Sequence, residues 1–254
     1  MKYKMIILIV SFIIFAMPFV YAETANFYES LDSASSIAAN SGSVSGSISF
    51  TPGVTNNAGY FNGASSIHYT NTIFNSENGS VSLWFKKDAA SVQGGLWQIG
   101  TLGTANSLGL FYNAGIVYFE IRKSVGGVDG VNYRTISYSS ALSSTDYNNI
   151  LVTWEKRGIY YTVKMFVNGL FVGGNTLSQL PVFSSGFLDV GYVGFYNQAA
   201  GAIDEVRFFN RQLSDPEIYA EYLYSSSKFR KQATAKPVST GTVKIISNSL
   251  NVNG

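Results

Sequence analysis

Short segments in which apolar and polar residues alternate recur along the chain from residue 58 onward. In the segment 80–86, for example, Val81, Leu83 and Phe85 stand at alternate positions and share one face. A period of two residues is typical of a β-strand with one buried face. Glycine, asparagine and aspartate separate the segments at intervals of about 8–12 residues, as in antiparallel sandwiches and barrels. The pattern predicts strands at 59–63, 67–70, 80–86, 95–100, 107–112, 116–122, 133–138, 150–154, 160–167, 170–172, 187–192 and 203–209.

The clearest hairpin begins at Ile150, from which apolar residues alternate to Trp154. The polar stretch 155–158 turns the chain, and a second turn follows at Asn168-Gly169, a pair that accepts the positive φ angles of a type I′ turn. Because Trp154 and Trp84 both alternate with apolar neighbours, we expect them to pack in the core or between sheets.

One helix is predicted near the end of the alternating region. Ser214 is a typical N-cap residue, and Glu217 three positions later completes a capping box. Leu213 and Ile218 are spaced to form a hydrophobic staple around this start. The serines at 225–227 predict the end of the helix.

These elements predict an all-β fold, a sandwich or a barrel, with one short C-terminal helix. The composition agrees, since 46% of the 254 residues are hydrophobic, 15% aromatic and only 13% charged. This chain length suits one sizeable domain. The sequence has no cysteine and a single histidine, His68, which excludes thiol catalysis, zinc–thiolate sites and multi-histidine metal sites.

The first 22 residues have the features of an export signal. Lys2 and Lys4 precede an apolar run at 5–15, and small or apolar residues lead to a cleavage position after Ala22. The alternative is an uncleaved anchor, for which the run is short. We therefore expect a secreted, extracellular protein, or otherwise one that is anchored by its N-terminus and faces outward.

Charge divides the rest of the chain into two parts. The predicted domain at 23–224 has 10 basic and 15 acidic residues, a balance of −5, whereas the segment 225–254 has five basic residues and no acidic one. This tail is rich in serine and threonine and contains one late strand candidate at 242–246. It is either a solvated linker or a contact to an anionic surface.

Six segments occur in a characteristic order along the chain. They are Leu31-Asp32-Ser33, Asn40-Ser41-Gly42, 58–63 (AGYFNG), 81–86 (VSLWFK), 166–169 (FVNG) and 201–218 (GAIDEVRFFNRQLSDPEI). Together they resemble the laminin-G-like jelly roll of the concanavalin A-like lectin/glucanase superfamily, over about residues 27–224 and most closely in the last segment. The resemblance implies a two-sheet antiparallel jelly-roll sandwich.

The resemblance implies a structural calcium ion. In this superfamily the closing aspartate often helps to hold calcium together with groups of the early loop, which makes Asp204 the best candidate ligand. Asn40 stands where the family often has an aspartate, and it is a candidate oxygen donor. Calcium takes six to eight oxygen ligands, of which these are only two. The alternative is that Asp204 accepts backbone N–H bonds at the sheet edge.

The resemblance also bears on catalysis. Glucanases of the superfamily place acidic residues at alternate positions of one strand, and two carboxylates perform the reaction. This chain has Ala202 at the first acidic position and Val206 or Arg207 at the last, so that only the central Asp204 remains. We therefore expect no enzyme activity.

A non-catalytic binding domain is the expected function, with a glycan or an extracellular protein as partner and no nucleic acid. A membrane contact is expected only if the N-terminal segment stays uncleaved. The alternative is a structural or assembly protein, such as a surface-layer component, without a sugar ligand. Sugars are commonly held by aromatic faces and directed hydrogen bonds. The candidate ligand-binding residues are Trp97, Tyr112, Tyr118, Tyr192, Tyr196 and Asn197.

Overall fold

The computed structural model describes residues 25–70, 75, 77–100, 106–122, 133–139, 142–178, 187–194 and 198–234. The predicted export signal at 1–22 and the late strand candidate at 242–246 lie outside the described residues. None of the helices within these ranges is long and apolar enough to span a bilayer.

The described chain is a succession of strands with a helix near each end. The strands are β1 (Phe27–Glu29), β2 (Gly42–Ser45), β3 (Ile48–Pro52), β4 (Asn57–Asn62), β5 (Ser66–Tyr69), β6 (Asn78–Lys87), β7 (Gln93–Ile99), β8 (Ser107–Asn113), β9 (Ile116–Arg122), β10 (Tyr133–Tyr138), β11 (Asn148–Arg157), β12 (Tyr160–Val167), β13 (Leu170–Leu177), β14 (Leu188–Val190) and β15 (Ala200–Phe209). The helices are α1 (Ala34–Ala39) and α2 (Asp215–Thr234).

The strands form two antiparallel sheets, which confirms the predicted sandwich. The eight-stranded sheet has the order β13-β12-β11-β6-β15-β4-β3, and β1 also pairs with β15. The seven-stranded sheet has the order β10-β9-β8-β7-β14-β5-β2. Every strand predicted between residues 59 and 209 is present. The second predicted turn is present too, since Asn168 and Gly169 both have positive φ (52° and 77°).

Alternation buries one face of each sheet in a common core. Val81, Leu83 and Phe85 of β6 face the same interior as Ile150, Val152 and Trp154 of β11, as the period predicts. Trp154 has 2% exposure, and its indole Nε1 donates to the backbone oxygen of Asn75 at 3.0 Å.

The outer face of the eight-stranded sheet is covered by the first turns of α2. Ile218 and Leu213 pack with Leu151, Phe166 and Phe209 in a second apolar cluster, which confirms the predicted staple. The Glu217 carboxylate accepts the backbone N–H of Ser214 at 2.7 Å, one half of the capping box.

Trp84 is buried with the core residues, as predicted, and stacks on Tyr222 of α2 with ring centroids 5.7 Å apart. It lies beneath the helix and not between the sheets, because its position alternates with those of Leu83 and Phe85. One detail of the prediction is wrong: the helix continues past the serines at 225–227 to Thr234. Serine has only a weak helix penalty.

A β-bulge in β15 sets the orientation of the residues around it. The register against β6 shifts between Asp204 and Arg207, and Glu205 has a φ of 52°. A bulge adds one residue to a strand and so shifts the alternation. As a result Ile203 and Val206 both face the core, while Arg207 points to α2 and forms ion pairs with Glu205 and Glu221.

Gly79 provides a test of the core packing. A Cβ atom at this position would lie 2.0 Å from the Trp154 ring, whereas one at Gly59 would meet its nearest neighbour, Phe61, at 3.4 Å. We expect Gly79→Ala to destabilise the fold by roughly 1–3 kcal/mol through overpacking. Thermal unfolding followed by circular dichroism should show the melting temperature of this variant several degrees below that of the matched Gly59→Ala protein. Equal melting temperatures would contradict the placement of Trp154.

Candidate functional site

A row of polar residues crosses the outer face of the seven-stranded sheet. Directly opposite residues of an antiparallel pair lie on the same face, and the strand registers align one polar residue or glycine from each of the seven strands. Their neighbours along the strands, such as Leu188 and Val190, face the core. This polar row consists of Ser43, His68, Asp189, Gln98, Gly109, Glu120 and Thr135, in that order from β2 to β10.

Hydrogen bonds join one half of the polar row into a chain. The Asp189 carboxylate contacts His68 Nδ1 at 2.6 Å through Oδ1 and accepts Gln98 Nε2 at 2.8 Å through Oδ2. The Gln98 Oε1 atom in turn accepts the backbone N–H of Gly194 at 3.1 Å. These bonds fix the three side chains, and the imidazole stays 44% exposed.

The other half of the polar row carries a salt bridge. Arg122 donates from Nε and Nη2 to Glu120 Oε1 at 3.0 and 2.9 Å, and the Glu120 side chain is largely buried. Between this pair and Gln98 lies Gly109, which has no side chain. Gln98, Gly109 and Glu120 in the middle of the row are buried, whereas Ser43 and His68 toward β2 are more exposed.

Two aromatic platforms border the polar row. Tyr118 of β9 stacks on Phe111 of β8, with ring centroids 5.1 Å apart and an interplanar angle of 18°, and both pack with Val193. Phe187, just before β14, lies against His68 at 5.4 Å. Three strand spacings separate β14 from β9, and Tyr118 lies four residues along β9 from Arg122, the position that aligns with Phe187, so the platforms stand roughly 20 Å apart on a diagonal across the sheet.

Two of the predicted ligand-binding residues are wrong, because they belong to the core. Trp97 has 0% exposure, since a bulge in β7 between Gly95 and Trp97 turns its ring inward. Tyr112 is also buried, because it alternates with the outward-facing Phe111, and its hydroxyl lies 2.5 Å from Ser91 Oγ. Neither ring can offer a face to a ligand at the surface.

The other predicted residues have different outcomes. Tyr118 lies on the outer face as part of a platform, and Tyr192 is half-buried where the chain bridges to Gln198. Tyr196 and Asn197 lie outside the described residues. Sequence reasoning missed most of the polar row, because its members are brought together by register and no local motif marks them.

The predicted calcium ligands are not brought together. Asp204 is fully buried, and its Oδ2 accepts the backbone N–H groups of Val54 at 2.7 Å and Thr55 at 3.2 Å. Asn40 instead donates from Nδ2 to the backbone oxygen of Tyr28 and to Glu29 Oε2, both at 2.9 Å. The alternative reading, in which Asp204 accepts backbone N–H bonds, is the one that this geometry supports.

The second carboxylate oxygen of Asp204, Oδ1, raises the question of which species balances the negative charge of this buried group. Oδ1 and the nearby Thr55 Oγ1 are buried without a hydrogen-bond partner. The described residues contain no group of three or more acidic or histidine side chains placed to hold a metal, and two side-chain oxygens fall short of the six to eight that calcium takes. Burial, the largest cause, and the neighbouring Glu205 raise the pKa of Asp204 to about 8 despite its two backbone bonds. A bound proton therefore fits this site, and calcium stays a prediction.

Comparisons with known proteins agree with the fold. The family model Laminin_G_3, described as concanavalin A-like lectin/glucanases superfamily, matches residues 61–219. No curated protein sequence gives a significant match.

Among solved structures, this chain is similar to domain 4 of AbnA, a GH43 extracellular arabinanase from Geobacillus stearothermophilus, in complex with arabinotriose. The TM-score is 0.56 with 17% identity over 78% of this chain and 98% of that domain. The binding domain of botulinum neurotoxin serotype G gives a TM-score of 0.61 with 12% identity over 80% of this chain and 52% of that one. The present chain thus spans about half the length of the neurotoxin domain.

The protonation of Asp204 predicts an unusual pH dependence of stability. The carboxyl titrates near 3.8 when unfolded and near 8 when folded, so between these pH values the native state holds a proton that the unfolded state has lost. The free energy of unfolding should therefore fall as pH rises through this window and level off above it. Asp204→Asn cannot titrate, and it should gain stability relative to the wild type as pH rises from about 4 to about 8.

Urea denaturation of both proteins across this range measures the difference between their free energies of unfolding. The exposed Asp146→Asn is the control, and its free energy of unfolding relative to the wild type should stay constant with pH. A wild-type stability that is constant or rises with pH would contradict the assignment. So would a melting temperature that calcium raises in the wild type and leaves unchanged in Asp204→Asn, because the neutralising species would then be a cation.

Proposed function

We propose that this chain, which belongs to the laminin-G-like family of the concanavalin A-like lectin/glucanase superfamily, is a non-catalytic binding module whose ligand is a glycan held along the polar row. The observation that carries the proposal is the alignment of seven polar or glycine positions between two aromatic platforms. Similar structures include binding domains whose ligands are arabinotriose in one case and gangliosides in another.

The chemistry of the row suits a ligand with many hydroxyl groups. His68 and Asp189 are already fixed by their mutual contact, and the His68 side chain stays 44% exposed, so it can meet a ligand without further ordering cost. Tyr118 is supported from one side by Phe111, and such stacked rings provide the apolar faces on which sugar rings pack.

The length of the row favours an extended ligand. The Phe187 and Tyr118 platforms stand roughly 20 Å apart, which is farther than one sugar ring reaches. A chain of several sugar units would contact both platforms and the polar groups between them. We therefore propose the interior of a linear glycan as the ligand, with a protein loop as the alternative partner.

The placement of carboxylates supports a role without catalysis. Glycosidases need two carboxyl groups about 5–9.5 Å apart across the scissile bond. In the polar row the two acidic residues are Asp189 and Glu120, whose strands are three spacings apart. Asp204, the one residue shared with the glucanase motif, is buried behind the 53–55 loop. Export, proposed from the residue pattern at 1–22, would place the module outside the cell.

Binding measurements on Tyr118→Ala and Phe187→Ala test this function. We expect isothermal titration with arabino-, xylo-, manno- and cello-oligosaccharides of one to eight units to find a ligand class whose affinity rises with length and then stays constant. Each substitution removes one platform, so each should weaken binding of the longer ligands by about tenfold. Tyr160→Ala, which removes an exposed tyrosine on a distant hairpin, should have no effect.

Two results would overturn the proposal. One is binding that none of these variants changes, which would place the ligand elsewhere. The other is the absence of binding to every glycan offered, including the polymers. If light scattering then showed defined oligomers, the structural or assembly role would be the better account.

A further inference from the structure

The side of the molecule opposite the polar row carries an exposed apolar patch. Phe171 of β13 is 58% exposed, and Tyr219 and Leu223 of α2 are 49% and 45% exposed; Leu170, at the turn beside them, is 65% exposed. We call these four residues the helix–hairpin patch. They are contiguous, because the turn at Gly169 approaches Tyr219 closely enough that a Cβ atom there would lie 3.1 Å from the ring.

The patch is an outward face of well-anchored elements. The helix buries Ile218 and Glu221 against the eight-stranded sheet, whereas Tyr219 and Leu223, one turn apart, share the opposite side. Phe171 packs edge-on against Phe166, whose ring centroid is 5.6 Å away and which belongs to the cluster beneath α2. Because the ion pairs and packing described above hold the elements, these exposed side chains are not needed to complete the fold.

Positive charge follows the patch along the same helix. The segment 225–254 has five basic residues and no acidic one, and three of them (Lys228, Arg230 and Lys231) fall within α2. With a rise of about 1.5 Å per residue, Arg230 lies roughly 10 Å beyond Leu223 along the helix axis. Basic residues close to a membrane are attracted by anionic lipid headgroups, and exposed apolar side chains can enter the boundary between the headgroups and the acyl chains.

A second copy of the chain fits this surface less well. Residues 23–224 have a net charge of −5, which could attract the basic end of a second copy. Most acidic side chains that the structure describes are already in ion pairs, for example Glu77 with Lys156, Asp215 with Lys164 and Glu217 with Arg211. Anionic lipid headgroups above an acyl region would satisfy both the charge and the apolar side chains. Soluble polyanions would satisfy the charge alone.

We propose that the helix–hairpin patch and the basic end of α2 dock the domain on an anionic lipid bilayer. Since α2 covers the eight-stranded sheet and the polar row lies on the outer face of the other sheet, a domain docked in this way presents its polar row away from the membrane. The inference is independent of the proposed function, because it rests on different residues and a different face.

Vesicle co-sedimentation tests the docking. The protein is purified from an exporting host, and its N-terminus is established by mass spectrometry so that all variants compared share it. We expect binding to vesicles of phosphatidylglycerol and phosphatidylcholine, with little binding to phosphatidylcholine alone and a strong reduction in high salt. Replacement of Lys228, Arg230 and Lys231 by glutamine should weaken binding by about a hundredfold.

The apolar contribution has a matched control. Phe171→Ser combined with Leu223→Ser should reduce partitioning at least tenfold, whereas Ile159→Ser, which removes a 75% exposed residue of another hairpin, should not. Circular dichroism melts establish that each variant is folded. Equal binding to neutral and anionic vesicles, or no binding, would overturn the proposal. A dimer that the Phe171/Leu223 double variant abolishes would overturn it too, in favour of a second copy as the occupant.

Discussion

The bulge in β15 is the constraint on which both faces of the sandwich depend. This strand lies inside the eight-stranded sheet, between β6 and β4. Its ten residues contact the core, the 53–55 loop and α2. The extra residue lets Ile203 and Val206 both enter the core, turns Asp204 toward the backbone of Val54 and Thr55, and aims Arg207 at α2. In a regular strand Ile203 and Val206 would face opposite sides of the sheet, and so would Asp204 and Arg207.

One consequence is a division of roles between the two sheets. The outer face of the eight-stranded sheet packs against α2. The contacts are the Arg207–Glu221 ion pair, the Trp84–Tyr222 stack and the apolar cluster around Ile218. The outer face of the seven-stranded sheet carries polar side chains that bond chiefly to one another. The Arg207 ion pairs with Glu205 and Glu221 are buried, and removal of one partner of such a pair is strongly destabilising.

Much of the fold could be predicted from alternation, and the site could not. Period two located the strands from β4 onward, and Ser214 with Glu217 located the start of α2. The segment 27–52 forms β1, α1, β2 and β3 without a clear alternation, because its residues are small and polar and serve partly as edge strands. Trp97 escaped prediction because a bulge reverses its direction, a feature that local sequence does not mark.

The polar row depends on register between strands that are distant in the chain. Ser43, His68, Gln98, Glu120 and Asp189 come from five different strands, and each looks like an ordinary surface residue in its own segment. Tyr118 is the exception, since its alternation with the apolar Val117 and Phe119 already indicates an outward ring. A single sequence therefore predicts a site residue only where alternation within one strand is sufficient, and it misses residues that are brought together by the register between strands.

The most direct test of the account is a map of where a bound glycan touches the domain. In two-dimensional ¹H–¹⁵N NMR spectra recorded during titration with an oligosaccharide ligand, the account predicts that the largest shift changes fall on the amides around Gln98, Gly109 and Glu120 and at Tyr118 and Phe187. Changes concentrated instead at the 53–55 loop beside Asp204, or along α2, would contradict the assignment of the binding face.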